Sequence, residues 1–293
     1  MFDSNAIRTS LALACVAMLS SACDDADAMK PAVAEPMVRL STVAAPPGYP
    51  IEMTYRFRVL PDTKISRDYH VMVHFADQND QLLFTDDHDL PVSTNAWKPG
   101  QVIEYQRTWF MPATSYAGHV TIELGLYSAG PEPRLRLLGT DVGSRSYAVG
   151  ALDVTPPNAT TGVYRTGWHA VERLPDGTEW YWTKKEGVVE FANPGKDSVL
   201  YLMLDNPSDA IQDAQHVTVF AGDTLLDRLT VTPQQPSRLY KIPAPAAAWG
   251  GDPLGRIRLA VDKTFVPVQI RKSLGDSREL GVRVLHAVIV PSR

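Results

Sequence analysis

The sequence predicts an all-β protein made of two β-sandwich domains, immunoglobulin-like or jelly-roll in layout, and three observations carry that expectation. Twenty-three prolines and nineteen glycines punctuate short apolar runs along the 293 residues, as turns do between antiparallel strands. Apolar and polar residues alternate with period two in one run after another, the mark of strands with one buried face. No long window carries a 3.6-residue apolar period, so helix should be nearly absent.

The chain opens with MFDSNAIRTS and then runs small or apolar from Leu11 to Ala22. That matches a signal-peptide h-region of ~7–15 residues and falls short of the ~20 needed to span a bilayer. Both cysteines, Cys15 and Cys23, lie in this region, so an exported body has no internal disulfide to staple it. Leu19-Ser20-Ser21-Ala22-Cys23 resembles the lipobox of bacterial lipoproteins, although Leu sits one place too early. The resemblance implies that residues 1–22 are removed and Cys23 is lipidated, giving an envelope protein anchored to a membrane by more than one acyl chain. The alternative is cleavage after Ala26-Asp27-Ala28, which leaves a soluble secreted or periplasmic protein. Residues 23–50, rich in Ala and Pro, read as a disordered tether.

From Ile51 the alternation is strict, with Ile51, Met53, Tyr55, Phe57 and Val59 on one face and Glu52, Thr54, Arg56 and Arg58 on the other. Further strands are expected at 68–76, 81–85, 101–111, 119–127, 134–138 and 145–154, completing a first domain over 51–154. Pro99-Gly100 fits a type II turn, with Pro presetting the second position and Gly supplying positive φ at the third. Residues 155–161, with adjacent prolines at Pro156 and Pro157, read as a linker. The second domain, 162–293, should hold strands at 178–183, 187–192, 198–205, 215–221, 224–231, 237–242, 256–261 and 280–290. The last is apolar on both faces and suits the centre of a sheet.

The formal charge is −5 and no Lys/Arg run occurs, so a nucleic-acid partner is not expected. No nucleophile elbow, HExxH, Walker or dinucleotide motif is present; we expect no catalytic residues and no cofactor. His70 and His74 share a strand face but sit ~13 Å apart, too far for one ion, so no metal site is expected. Candidate ligand contacts are of two kinds. Asp86, Asp87 and His88 cluster after a strand, where they are either a solvated acidic turn or an oxygen-rich loop for a divalent ion or glycan hydroxyls. Trp180 and Trp182 share one face of a strand, where they are either core or an exposed platform for sugar rings; Trp97 and Trp109 carry the same ambiguity. Asp276 and Arg278 should pair at the entry of the final strand, and Gly281 should mark a bulge or a close backbone approach.

The segments VMVHFADQNDQLLF, WKPGQVIEY and GHVTIELGLYS resemble the β-sandwich modules appended to bacterial surface-polysaccharide glycosyltransferases and transporters. EWYWTKKEGVVEF, DKTF and DSRELGVRV are similar to another β module found near such enzymes and in uncharacterised lipoproteins. The resemblance implies an envelope setting and a non-enzymatic role, binding a saccharide or organising polysaccharide-assembly proteins. The alternative is a protein–protein module whose open sheet edges accept a partner strand; a hydrolase with an unrecognised site ranks third.

Overall fold

The structure is a computed structural model that describes residues 30–129, 133–156, 162–175 and 177–292. The signal peptide, Cys23 and most of the expected linker lie outside the described residues. The regular secondary structure is nearly all strand; among the described residues, helix amounts to α1 (Pro267–Ile270) and three single 3-10 turns.

The first sandwich contains β1 (Ala34–Leu40), β2 (Ala44–Ala45), β3 (Pro50–Val59), β4 (His70–Ala76), β5 (Leu82–Thr85), β6 (Val102–Phe110), β7 (Gly118–Tyr127), β8 (Thr140–Gly143) and β9 (Ser146–Val154). One sheet has the order β1-β3-β6 and the facing sheet β2-β9-β7-β4-β5, with β8 added on β9. The alternation at Ile51–Val59 sets which face β3 buries: Ile51, Met53, Tyr55, Phe57 and Val59 all lie at 0–1% exposure. They meet Val71, Val73 and Phe75 of β4 and Trp109 of β6 in one core, and the Phe75 and Trp109 rings stack at 4.2 Å. Trp97 and Trp109 are therefore core residues. The Lys98–Gln101 turn closes as expected, with Gly100 at φ 76° and the Gln101 N–H donating to Lys98 O at 3.0 Å.

Two expectations for this half are corrected. Part of the segment read as a disordered tether is sheet, since β1 pairs antiparallel with β3 from Ala34↔Val59 to Leu40↔Met53 and β2 pairs parallel with β9. Pro36 is tolerated in β1 because β1 is an edge, where a missing N–H breaks no ladder on its open side. Residues 134–138 make no strand. Their backbone joins the sheets through the single bridges Tyr127↔Arg134 and Ala34↔Leu137, while Leu135 and Leu137 are buried as plugs.

The second sandwich contains β10 (Val163–Tyr164), β11 (Glu172–Arg173), β12 (Glu179–Trp182), β13 (Glu186–Ala192), β14 (Ser198–Asp205), β15 (Gln215–Ala221), β16 (Thr224–Val231), β17 (Arg238–Ala244), β18 (Leu254–Val261) and β19 (Arg283–Pro291). Its sheets run β10-β13-β18-β15-β16 and β11-β12-β19-β14-β17. As its two-sided apolar pattern requires, β19 is central, and Val284, Ala287 and Ile289 enter the main core with Leu200, Leu202, Val217 and Leu259. A smaller cluster of Trp182, Phe265 and Leu280 packs separately. Gly281 makes the expected close approach, because a Cβ there would lie 2.3 Å from Thr183 Oγ1 and 2.7 Å from Lys184 O.

The sandwiches touch through the outer faces of the β1-β3-β6 and β11-β12-β19-β14-β17 sheets. Glu52 Oε1 accepts from Tyr201 Oη at 3.0 Å and from Lys241 Nζ at 2.5 Å, while Gln106 holds its other oxygen at 3.1 Å. Burial raises the Glu52 pKa, but the Lys241 and Tyr201 hydrogen bonds and the Lys241 charge outweigh it and leave the carboxyl below its ordinary value. Beside this contact the Phe110 and His286 rings stack at 4.0 Å and 4°. Burial pushes the His286 pKa down to about 4, so the imidazole in this stack is neutral near neutral pH.

Candidate functional site

The Asp86–His88 segment does not behave as one loop. Successive residues of an extended segment leave on opposite faces, and here that sends Asp86 and His88 inward and Asp87 outward. The Asp86 and His88 side chains retain 10% and 4% exposure, which corrects the solvated-turn reading. Asp86 accepts from Tyr55 Oη at 3.1 Å and pairs with Arg107 Nη2 at 3.1 Å, tying one sheet to the other. Burial lowers the His88 pKa. The neutral ring donates from Nδ1 to Asp86 O at 2.6 Å and accepts at Nε2 from Tyr105 Oη at 2.7 Å. With every partner satisfied, this network fastens the sandwich and offers nothing to a ligand.

Asp87 lines a groove of about 240 Å³ on the outer face of the larger sheet, with Met72, His74, Tyr127, Ser128 and Arg134 around it. The outward parity of β4 supplies Met72 and His74, and β7 pairs alongside through Met72↔Gly125 and His70↔Tyr127. Asp87 is fixed by the backbone: its Oδ1 accepts the Val73 N–H at 2.9 Å and stands 3.9 Å from His74 Nε2. Arg134 is steadied by donating to Ser144 O at 2.8 Å. Burial first, then the charges of Asp87 and Asp89, raise the Tyr127 pKa, so its hydroxyl stays a protonated donor. His70, paired with Asp89, lies against the Tyr127 ring at 5.4 Å.

Acceptor, donor and ring thus converge in one concave place, the arrangement that orients a small polar ligand. Asp87 was legible in the sequence. Tyr127 and Arg134 were not, because the residues between them carry no pattern and only the Tyr127↔Arg134 bridge brings both to the groove. Among the described residues no three His, Cys, Asp or Glu side chains converge as metal ligands.

Trp180 and Trp182 do share a face, but it is no platform. Trp182 keeps 7% exposure and packs edge-on against Phe265 at 5.9 Å, and Trp180 is half-buried against the same cluster. Phe265 and Leu280, joined by a backbone bridge, cover this face together with Ala210 and Ile211. The Arg283 guanidinium lies 5.1 Å from the Trp180 ring centre. Asp276 and Arg278 pair as expected, at 2.7 Å, and Arg278 also reaches Glu172 at 2.8 Å.

No family model matches the chain, and no curated protein matches it. Among solved structures, it is similar to a family 35 carbohydrate-binding module from an environmental isolate, at 14% identity over 44% of this chain and 93% of that one, with a TM-score of 0.25. It is also similar to the N-terminal CBM22-1–CBM22-2 tandem domain from Paenibacillus barcinonensis Xyn10C, at 13% identity over 84% of this chain and 79% of that one, with a TM-score of 0.27. A third, the isomalto-dextranase of Arthrobacter globiformis T6 with panose, gives 10% identity over 84% and 35%, with a TM-score of 0.27. At such scores the β-sandwich assignment rests on this chain's own sheets and cores.

Proposed function

We propose that the protein is a non-catalytic saccharide-binding protein of the bacterial envelope, and that the groove at Asp87 takes a neutral sugar unit. The observation that carries this reading is the convergence of the Asp87 carboxylate, His74, Arg134 and the Tyr127 ring in one groove. A sugar offers hydroxyls to acceptors and donors together and an apolar ring face to an aromatic. Among the residues that line the groove, Asp87 and Arg134 offset each other's charge, and with Asp89 nearby no positive excess favours an anion. At about 240 Å³ the groove is smaller than the ~300–1,000 Å³ of drug-sized sites and suits one ring of a longer chain. The lipobox-like segment ending at Cys23 supports a lipid anchor, and mass spectrometry of the mature N-terminus decides between that and cleavage after Ala28. The resemblance of both halves to modules accompanying polysaccharide-assembly enzymes supports the envelope setting.

The test is a neutral-glycan array probed with the full chain and with Asp87→Ala and Tyr127→Phe variants. Binding that falls tenfold or more in Asp87→Ala, with Tyr127→Phe losing less because the ring stays, supports the reading. Absence of any neutral-glycan binding, or binding indifferent to Asp87→Ala, removes it.

A further inference from the structure

Where β16 hands over to β17 in the second sandwich, a crevice of about 570 Å³ opens, within the range of small-molecule sites. Its floor is Leu204 and Val231, both buried, and its rim presents Thr232, Gln235, Ser237 and Arg238. The connecting turn that forms the wall is held in place. Gln234 takes φ 60°, a conformation a non-glycine residue adopts when its surroundings enforce it. Its N–H donates to Asn206 O at 2.8 Å. Asn206 in turn donates to Gln215 Oε1 at 2.5 Å, both residues lie at 0% exposure, and Gln215 is anchored to Lys263 O at 2.7 Å.

The charge of the crevice follows from which groups are already paired. Asp205 lines it, but both its oxygens are taken by Arg283, at 2.7 Å from Nε and 2.6 Å from Nη2, so that pair is neutral. Arg238 is in no ion pair among the described residues; it lies over the Tyr240 ring at 5.1 Å and its side chain also hydrogen-bonds Tyr240. The ring beneath it is fixed, since Tyr240 Oη donates to Thr230 O at 2.8 Å. Asp227, whose charge reaches Tyr240, does not line the crevice. A guanidinium so held is pre-positioned, and with one of its five N–H groups turned to Tyr240 it still has others to present to an oxyanion.

We propose that this crevice binds a hydroxylated organic anion, a sugar bearing a carboxylate or a phosphate, with the Arg238 fork on the anion and the Thr232, Gln235 and Ser237 rim on the carrier's hydroxyls. The site is independent of the Asp87 groove, differs from it in that its lining carries one cation outside any ion pair, and would give the protein two saccharide specificities.

Calorimetric titration of the full chain with D-glucuronate, glucose 6-phosphate and glucose tests this. At least one anion should bind saturably and tenfold or more tighter than glucose, and which one does so separates carboxylate from phosphate. Arg238→Gln should weaken that binding tenfold or more with an unchanged unfolding midpoint, since Arg238 is exposed. Arg238→Lys, which keeps the charge and loses the fork, should recover part of it. Asp87→Ala should leave it unaltered, so a failed groove and a failed crevice give different results. Glucose binding as tightly as the anions, no saturable binding by either anion, or an affinity indifferent to Arg238→Gln overturns the proposal.

Discussion

Asp86 and Asp87 are neighbours in the chain and part company in space. Read residue by residue, Thr85-Asp86-Asp87-His88-Asp89 is polar throughout, and a polar run reads as solvated; the partner that makes Asp86 tolerable inside, Arg107, comes twenty-one positions later and leaves no local trace. The parity of Trp180 and Trp182 was equally plain, whereas the side they face depended on Phe265 and Leu280 packing over them, a long-range contact that periodicity does not encode. Because Trp182 is packed rather than presented, Trp182→Ala should cost about 3–5 kcal/mol, the usual penalty for emptying a buried indole site. Guanidinium unfolding of the variant measures it, and a loss below ~1 kcal/mol would mean the ring is exposed after all.

At the scale of elements, strands with one buried face were legible because side-chain parity is local; β3 is the plainest case. β1 was not, since its Ala34 and Pro36 carry weak strand propensity and its place is fixed by pairing with β3. The open edges bear on the protein–protein alternative. β17 carries Lys241 and Pro243, β1 carries Pro36 and β16 carries Asp227 and Arg228, residues that discourage an incoming strand.

The contact between the sandwiches was invisible in sequence, and it is acid-sensitive by construction. His286 titrates near 6.5 when free and at about 4 in place, so the folded, docked state gains stability from keeping it neutral. That gain is complete above pH 6.5 and is lost as pH falls from there toward 4. Glu52, held below its ordinary value, adds a loss at the acid end of the same window. At ~1.4 kcal/mol per pH unit, stability should drop by about 2 kcal/mol between pH 6.5 and 5. Denaturation curves across this range measure it, and His286→Phe, which keeps the stack without the titration, should flatten the slope. An equal slope in both proteins would mean that His286 is not the titrating group.

At the scale of the whole molecule, two sandwiches meet face to face, and the ordered body begins earlier than composition suggested. Only eleven positions separate Cys23 from Ala34, a reach of no more than about 40 Å even fully extended, so an anchor at Cys23 would hold the first sandwich close to the bilayer. Ending the chain after Leu280 removes β19 from between β12 and β14 and strips Val284, Ala287 and Ile289 from the core. Limited proteolysis should then digest residues 162–280 while the intact chain resists, and equal resistance would show that β19 is dispensable.

The position of β19 also dictates an order of assembly. Of the five strands of its sheet it is the last in chain order, yet it belongs in the middle, between β12 and β14. Until it emerges, β12 and β14 face each other across a gap with unpaired backbone, and the apolar floor beneath them has no lid. Until β19 arrives the second half must therefore wait in an adhesive, incomplete form, and this is the interval in which a holdase or a swift arrival of residues 283–291 decides between closure and aggregation.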